Sequence, residues 1–235
     1  MPAVADSIQP RRRRSPRVFF FLQLVYQITA LLCLRHWRSA TPWRDLDFFS
    51  ASFFVLTAVL LAYHIRFNRG ILESQEALRE ASGSTFDPAT LRRGSMLAIA
   101  DLSVFLDYGH WHLTPALRTP GLQITGLLLY GCAVAGLMWT DTRLVRHFQG
   151  DLHRRQLMTT GPFAVVRHPR YASLLLAKLG ITLLFASVFG WMSLLLSVLL
   201  IRRRIRLEEI HLLEIFGPDY PRYTARRARL VPGIY

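Results

Sequence analysis

Residues 172–201 read ASLLLAKLGITLLFASVFGWMSLLLSVLLI, an apolar run interrupted by one charge, Lys178. A membrane-spanning helix needs about 20 apolar residues, so this run is too long for one upright crossing. Ser187 and Gly190 lie near its middle, and basic residues flank it on both sides: Arg167 and Arg170 before, Arg202, Arg203, Arg204 and Arg206 after. Basic loops stay on the cytoplasmic side of a membrane. A tight helical hairpin that dips in and returns keeps both clusters there.

Toward the N-terminus the same kind of run recurs at residues 18–34, 48–65 and 122–140. A fourth, residues 95–113, is apolar but carries Asp101, Asp107, His110 and His112. Ionisable groups in a span face the bundle interior or a cavity. They could wall a substrate pocket; the reading preferred here puts Asp107, His110 and His112 at the far interface and Asp101 in a bond to a neighbouring helix. Residues 66–93, with Glu73, Glu76, Arg79, Glu80 and a turn-rich stretch at 83–88, read as a cytoplasmic loop with a short surface helix. The expected fold is therefore all-α: a polytopic membrane helix bundle with four N-terminal spans in residues 18–140, preceded by a disordered basic tail (1–17). Residues 141–235 hold a polar cytoplasmic segment, the helical hairpin and a C-terminal helix.

The net charge of +14 raises the possibility of nucleic acid, but its distribution argues for membrane topology instead. With the N-terminus inside, only Arg35, Arg38, Arg44 and Arg118 fall in outward loops, and every other arginine falls inside. The expectation is a multi-pass protein of the lipid bilayer with both termini cytoplasmic and no nucleic-acid partner. The basic tail begins like a signal peptide, yet no small-residue cleavage site follows residues 18–34, so the first helix reads as uncleaved. Cys33 and Cys132 lie in apolar runs and support neither a disulfide framework nor a metal site. Gly126, Gly131 and Gly136, at five-residue spacing, thin their helix for close packing. Oligomeric state leaves no trace in the sequence.

Two clusters carry candidate chemistry. Residues 159–171 (TTGPFAVVRHPRY) join a Gly161-Pro162 turn to an Arg-His-Pro-x-Tyr group just before a helix. Pro169 suits the first turn of that helix, and Arg167 and His168 then sit at its N-terminus, where free N–H groups suit a carboxylate or phosphate. The alternative is that they only mark the interface. Residues 201–216 (IRRRIRLEEIHLLEIF) are helical in period, with Arg204 and Glu208 four apart on one face. Lys178 is open between two readings, a pocket partner for an anion and a lysine snorkelling to the interface.

In order and spacing, GPFAVVRHPRY, a helical hairpin, Arg204-x-x-x-Glu208-Glu209, FGPDYPRY and Pro232 resemble the isoprenylcysteine carboxyl methyltransferase family, over about residues 151–232. The resemblance implies an integral membrane enzyme that transfers a methyl group from S-adenosyl-L-methionine to the carboxylate of a lipidic or prenylated cysteine acceptor. It also implies a cofactor site at the cytoplasmic face, making residues 141–235 a methyltransferase-like region. The family's His-x-Leu-Val segment falls on Arg155, Gln156, Leu157 and Met158, its turn aromatic on Phe163, and its His-Pro-x-Tyr contacts on His168, Pro169, Arg170 and Tyr171. Its cofactor glutamate falls on Glu208 and its substrate arginine on Arg204. Arg155 replaces the family's frequent His, Phe163 a Tyr and Ser173 a Gly; His153 is a candidate substitute for the missing His. Phospholipid N-methylation shares the architecture and cofactor. NADPH-dependent membrane sterol reductases share the layout, but Arg170 before Tyr171 and Ala172-Ser173-Leu174 after it depart from their pattern. A non-enzymatic scaffold binding anionic lipid explains the charge but not the ordered motifs.

Overall fold

The computed structural model describes residues 16–34, 47–66, 88–150 and 157–233. The basic tail before Pro16, most of the expected loop at 66–93, and His153, Arg155 and Gln156 lie outside them. The described chain forms α1 (Pro16–Leu34), α2 (Phe48–Arg66), α3 (Pro88–Leu106), α4 (Pro120–Gly150), α5 (Pro169–Phe185), α6 (Val188–Phe216) and the short α7 (Asp219–Thr224). A π-helical turn, Asp107–Trp111, continues α3, and 3-10 turns stand at Pro115–Leu117 and Gly161–Ala164. Among the described residues no strand forms; an isolated parallel bridge joins Val166 to Ala228.

Two of these boundaries correct the sequence reading. The third helix begins at Pro88, inside the expected loop, because proline fits a helix's first turn and Ala89, Leu91, Arg92 and Arg93 after it are good helix formers. α4 runs on to Gly150 where a polar segment was expected from residue 141. Its polar residues there are helical because Asp141 and Thr142 find partners on neighbouring helices. Of the four expected spans, α2 and α4 are long and apolar enough to cross a membrane, and α1 adds the shorter apolar stretch Leu24–Leu34. α3 is interrupted by charge. Large apolar side chains face outward on α1, α2, α3, α4 and α6, among them Val55, Ile99, Leu128 and Leu195, each more than 60% exposed; α5 lies inside the bundle and shows none. An apolar surface of that extent suits lipid better than water.

Inside, the helices are held by contact geometry, since burial from lipid brings little hydrophobic gain. α4 and α5 run antiparallel with their backbones touching: a Cβ on Gly126 would stand 2.3 Å from the Leu184 nitrogen, and one on Gly180 2.7 Å from that of Tyr130. Gly136 faces the Ser173 side chain, whose Oγ a Cβ on Gly136 would meet at 2.5 Å. Gly131 meets only the Leu56 side chain, at 3.9 Å, and needs no such explanation. Phe53, Phe105, Tyr130 and Phe185 form the aromatic centre, with Phe53–Tyr130 centroids 4.8 Å apart and Phe105–Phe185 centroids 5.1 Å apart in edge contact.

The chain reverses at Ala186, in the left-handed region at φ 46°, and Ser187 caps α6 by accepting from the Phe189 N–H at 3.2 Å. α6 then packs back along α5, Gly190 against Thr182. Its 29 residues extend roughly 43 Å, longer than the 17-residue α5, so its last turns run on past the start of α5.

Polar groups tie the bundle at three levels. Asp101 accepts from Lys178 and Ser193, joining α3, α5 and α6. At one end, fully buried Asp107 accepts the Leu113 N–H at 2.9 Å, and Arg118 donates to the carbonyls of Tyr108 and Asp107 and to His112. At the other end, Tyr63 bonds Thr142 at 2.7 Å. Asp101 thus bonds to neighbouring helices as expected. Lys178 takes neither sequence reading: its ammonium stays in the bundle on Asp101.

Candidate active site at the arginine-rich end

Pro169 opens α5 with His168 as its N-cap, so the residues either side of that proline are fixed relative to the helix axis. Before it, Gly161 adopts φ +64° and starts the 3-10 turn that aims the chain at α5; a side chain there would be strained. The turn is clasped from the C-terminal segment. Arg167 and His168 donate backbone N–H groups to the carbonyls of Ala228 (2.8 Å) and Arg229 (3.0 Å), and Tyr223 donates to the Phe163 carbonyl at 2.7 Å.

Across from this turn, the C-terminal half of α6 presents Arg204, Glu208 and Glu209. Glu209 is saturated. Its Oε1 accepts from Arg167 at 2.7 Å, and Arg229 spans both oxygens through Nε and Nη2 at 2.8 to 3.2 Å. His168 Nε2 stands 3.5 Å away, at the outer edge of a hydrogen bond. Burial alone would raise the Glu209 carboxyl, but His168, Arg229 and Arg167 outweigh it and hold it down at about 2.

Glu208, one residue earlier, is placed differently. Its Oε1 receives both the Tyr171 hydroxyl and the Arg204 Nε, the latter at 3.1 Å. Its Oε2 has only His168 Nδ1 near it among the described residues, at 3.9 Å. Glu208 therefore keeps an uncommitted carboxylate oxygen next to a tyrosine. The His168 and Tyr171 rings stack at 5.9 Å, and the Arg204 guanidinium lies over the Tyr171 ring at 5.8 Å. His168 Nε2 is buried with no hydrogen-bond partner.

Of the sequence-predicted residues, the fold brings together His168, Pro169, Tyr171, Arg204 and Glu208. Phe163 lies in the adjoining turn, and Leu157 and Met158 are half-buried in the segment leading to it. Arg170 points elsewhere: its Nε donates to Asp141 on α4 at 3.0 Å. Arg167, expected at a free anion site, is engaged by Glu209. Sequence reasoning gave no role to Glu209 or Arg229, whose pairing appears only once the C-terminal segment folds back. A surface groove lined by Phe48, Ala51, Val55 and Leu127 lies toward the opposite end of α2 and α4 and has no part in this cluster. No group of residues suited to a metal ion occurs among the described residues.

The cluster's two halves, the start of α5 and the C-terminal half of α6, fall inside one comparison with known families. Residues 121–219 match the phospholipid methyltransferase family model. The match covers less than half of the chain and begins with α4, so α1 to α3 lie outside it. It speaks for a membrane methyltransferase. It also shifts the choice of acceptor, since the motifs alone resemble a family acting on a prenylcysteine carboxylate and the match points to lipid methylation. No curated protein matches the chain.

Proposed function

We propose that this chain is a membrane methyltransferase that uses S-adenosyl-L-methionine and methylates the headgroup amine of a phospholipid. The observation that carries the reading is the uncommitted Oε2 of Glu208 beside Tyr171 and His168, in a region matching phospholipid methyltransferases. The donor set suits that cofactor. A carboxylate oxygen without a hydrogen-bond partner among the described residues matches an ammonium or a ribose hydroxyl, and His168 Nδ1 stands beside it at 3.9 Å. When bound, S-adenosyl-L-methionine supplies a methyl group on a sulfonium that is already activated.

The protein's own work is then to position the reactants. Glu208 Oε2 holds a positive group of the cofactor while Tyr171 and Arg204 fix the other oxygen. His168, Pro169 and Tyr171 form the wall at the start of α5. Phe163, Leu157 and Met158 lie in the turn and segment that lead to it, and they are assigned to the cofactor by resemblance, as are Arg155 and Gln156. An acceptor amine must shed a proton before it attacks. With Glu208 Oε2 assigned to the cofactor, that proton passes to water at the arginine-rich end. The acceptor enters from the bilayer with both termini and the arginine-rich end cytoplasmic, an orientation that rests on the arginine distribution.

A second reading, methylation of a prenylcysteine-like carboxylate, is favoured by Arg204, whose side chain is 44% exposed and whose guanidinium, beyond the Nε bonded to Glu208, offers terminal N–H donors that a carboxylate accepts. Purified protein should be given methyl-labelled cofactor with phosphatidylethanolamine or with a farnesylcysteine analogue. Label in the phospholipid, lost in Glu208→Gln together with roughly 10- to 100-fold weaker cofactor binding, is the expected result. Label confined to the farnesylcysteine analogue would replace the first reading with the second; unchanged cofactor binding in Glu208→Gln would remove Glu208 from the site.

A further inference from the structure

Asp141 and Arg170 are adjacent to the proposed site, yet neither side chain takes part in it. Asp141, on α4, is 2% exposed. One of its oxygens takes the Arg170 Nε at 3.0 Å, and the other lies 3.3 Å from His64 Nε2 on α2. The carboxylate is thus pinned between two helices and can only hold Arg170 in one place. Arg170 spends its Nε on this contact and has no hydrogen bond from Nη1 or Nη2 among the described residues. Its side chain is 31% exposed, so those two groups open outward from the arginine-rich end.

A guanidinium fixed through Nε presents its terminal N–H groups as a preorganised donor pair, the geometry that phosphate oxygens accept. Asp141 also compensates the charge of the arginine while the site is empty of ligand, so Arg170 need not collapse onto the Tyr171–Glu208 pair. Arg170 and Tyr171 are consecutive on α5, and the charge of Arg170 is felt at the Tyr171 hydroxyl. In an ethanolamine phospholipid a short ethylene arm separates phosphate from amine. With the phosphate on Arg170, that arm carries the amine toward Tyr171 and Glu208.

We infer that Arg170 reads the phosphate of the phospholipid acceptor and that Asp141 is the positioning residue that aims it. The inference rests on the amine-methylation reading above. It assigns a specificity to this site: amine lipids bearing a phosphate are preferred over those without one.

The test compares phosphatidylethanolamine with sphingosine, an amine lipid lacking phosphate, as acceptors in mixed micelles with the full-length protein. Arg170→Gln should lower the ratio of kcat/KM for phosphatidylethanolamine over sphingosine by about tenfold or more, with Arg170→Lys recovering part of it, because lysine keeps the charge and loses the fork. Asp141→Asn should lower the ratio by a smaller factor. An unchanged ratio in Arg170→Gln overturns the inference, as does an equal loss for both lipids, which would make Arg170 a general structural residue. Failure of the methylation reading looks different: the wild type would label neither lipid. In that event retention of phosphatidylethanolamine by the detergent-purified protein, followed by native mass spectrometry, still decides. Loss of retained lipid in Arg170→Gln supports the phosphate contact, and equal retention rejects it. Displacement of the lipid from wild type by inorganic phosphate alone would make this a site for free phosphate and overturn the lipid assignment.

Discussion

Two of the acidic clusters among the described residues hold their charges in opposite ways. Asp101, roughly level with the middle of α5, gives one oxygen to Lys178 and the other to Ser193, and nothing is left over. At the arginine-rich end, two consecutive glutamates share four basic or phenolic partners unequally. Glu209 is enclosed by Arg167 and Arg229, whereas Glu208 concentrates its bonds on one oxygen and leaves the other open. A charge whose bonding capacity is filled by the protein can only hold structure. A charge with capacity to spare, near solvent, can take a ligand. On that criterion Asp101 and Glu209 are locks, and Glu208 is the residue proposed to meet a ligand.

The lock is where the comparison breaks most sharply. Lys178 lies about 14 Å along α5 from Pro169, deep in the hydrocarbon if α5 enters the membrane from that end. Lys178→Met leaves the half-buried Asp101 with a hydroxyl as its remaining partner. Removing one member of a fully buried ion pair costs about 3–5 kcal/mol, which is the upper bound for this partly buried one, so thermal unfolding in detergent should shift down clearly. The double variant Asp101→Asn with Lys178→Met, which leaves no unpaired charge, should regain most of the loss. A double variant no better than the single one would mean that Lys178 acts through something other than Asp101.

Much of this bundle is legible in the residues, and what is not has a common cause. Apolar runs locate α1, α2, α4 and the α5–α6 stretch because a helix solvated by lipid must be apolar on its outer face. The end of α4 is illegible because Asp141 and Thr142 look like loop residues until His64, Arg170 and Tyr63 are seen around them. His168, Tyr171, Arg204 and Glu208 could be picked because motif order and an i,i+4 spacing put them in view. Glu209 was within the same motif but had no role, since its partners stand 42 and 20 residues away with no period connecting them. Asp101 could be expected to bond a neighbouring helix; that the neighbour is Lys178, 77 residues on, is a property of packing alone.

A smaller effect sharpens the contrast between the two glutamates. Glu209 has its carboxyl held at about 2, below the usual 4.5, so its stabilising contribution is complete above about pH 4.5 and is lost as pH falls toward 2. Glu209→Gln should remove that acid dependence and loosen the clasp at neutral pH by about 1.5–3 kcal/mol, the worth of hydrogen bonds to a charged group. Amide exchange at Arg167 and His168, whose N–H groups bond the C-terminal segment, reads both effects directly. Trypsin should also cut faster after Arg226 and Arg227. Equal protection in wild type and variant at every pH would show that the backbone bonds close the clasp unaided.

The smallest effect is expected at Ser193, and it decides what the hydroxyl adds to the lock on Asp101. Ser193 is 2% exposed and donates to Asp101 while Lys178 holds the other oxygen. Interhelical hydrogen bonds within membranes average about 0.6 kcal/mol, because an unfolded helix in lipid also finds partners. Ser193→Ala should therefore cost about that much if Lys178 swings to cover both oxygens, and more if it cannot. Adding Ser193→Ala to the double variant Asp101→Asn with Lys178→Met separates the cases. A serine that matters only through the charge has almost no effect in that background, whereas a serine that packs α6 against α3 through its shape loses the same amount in both.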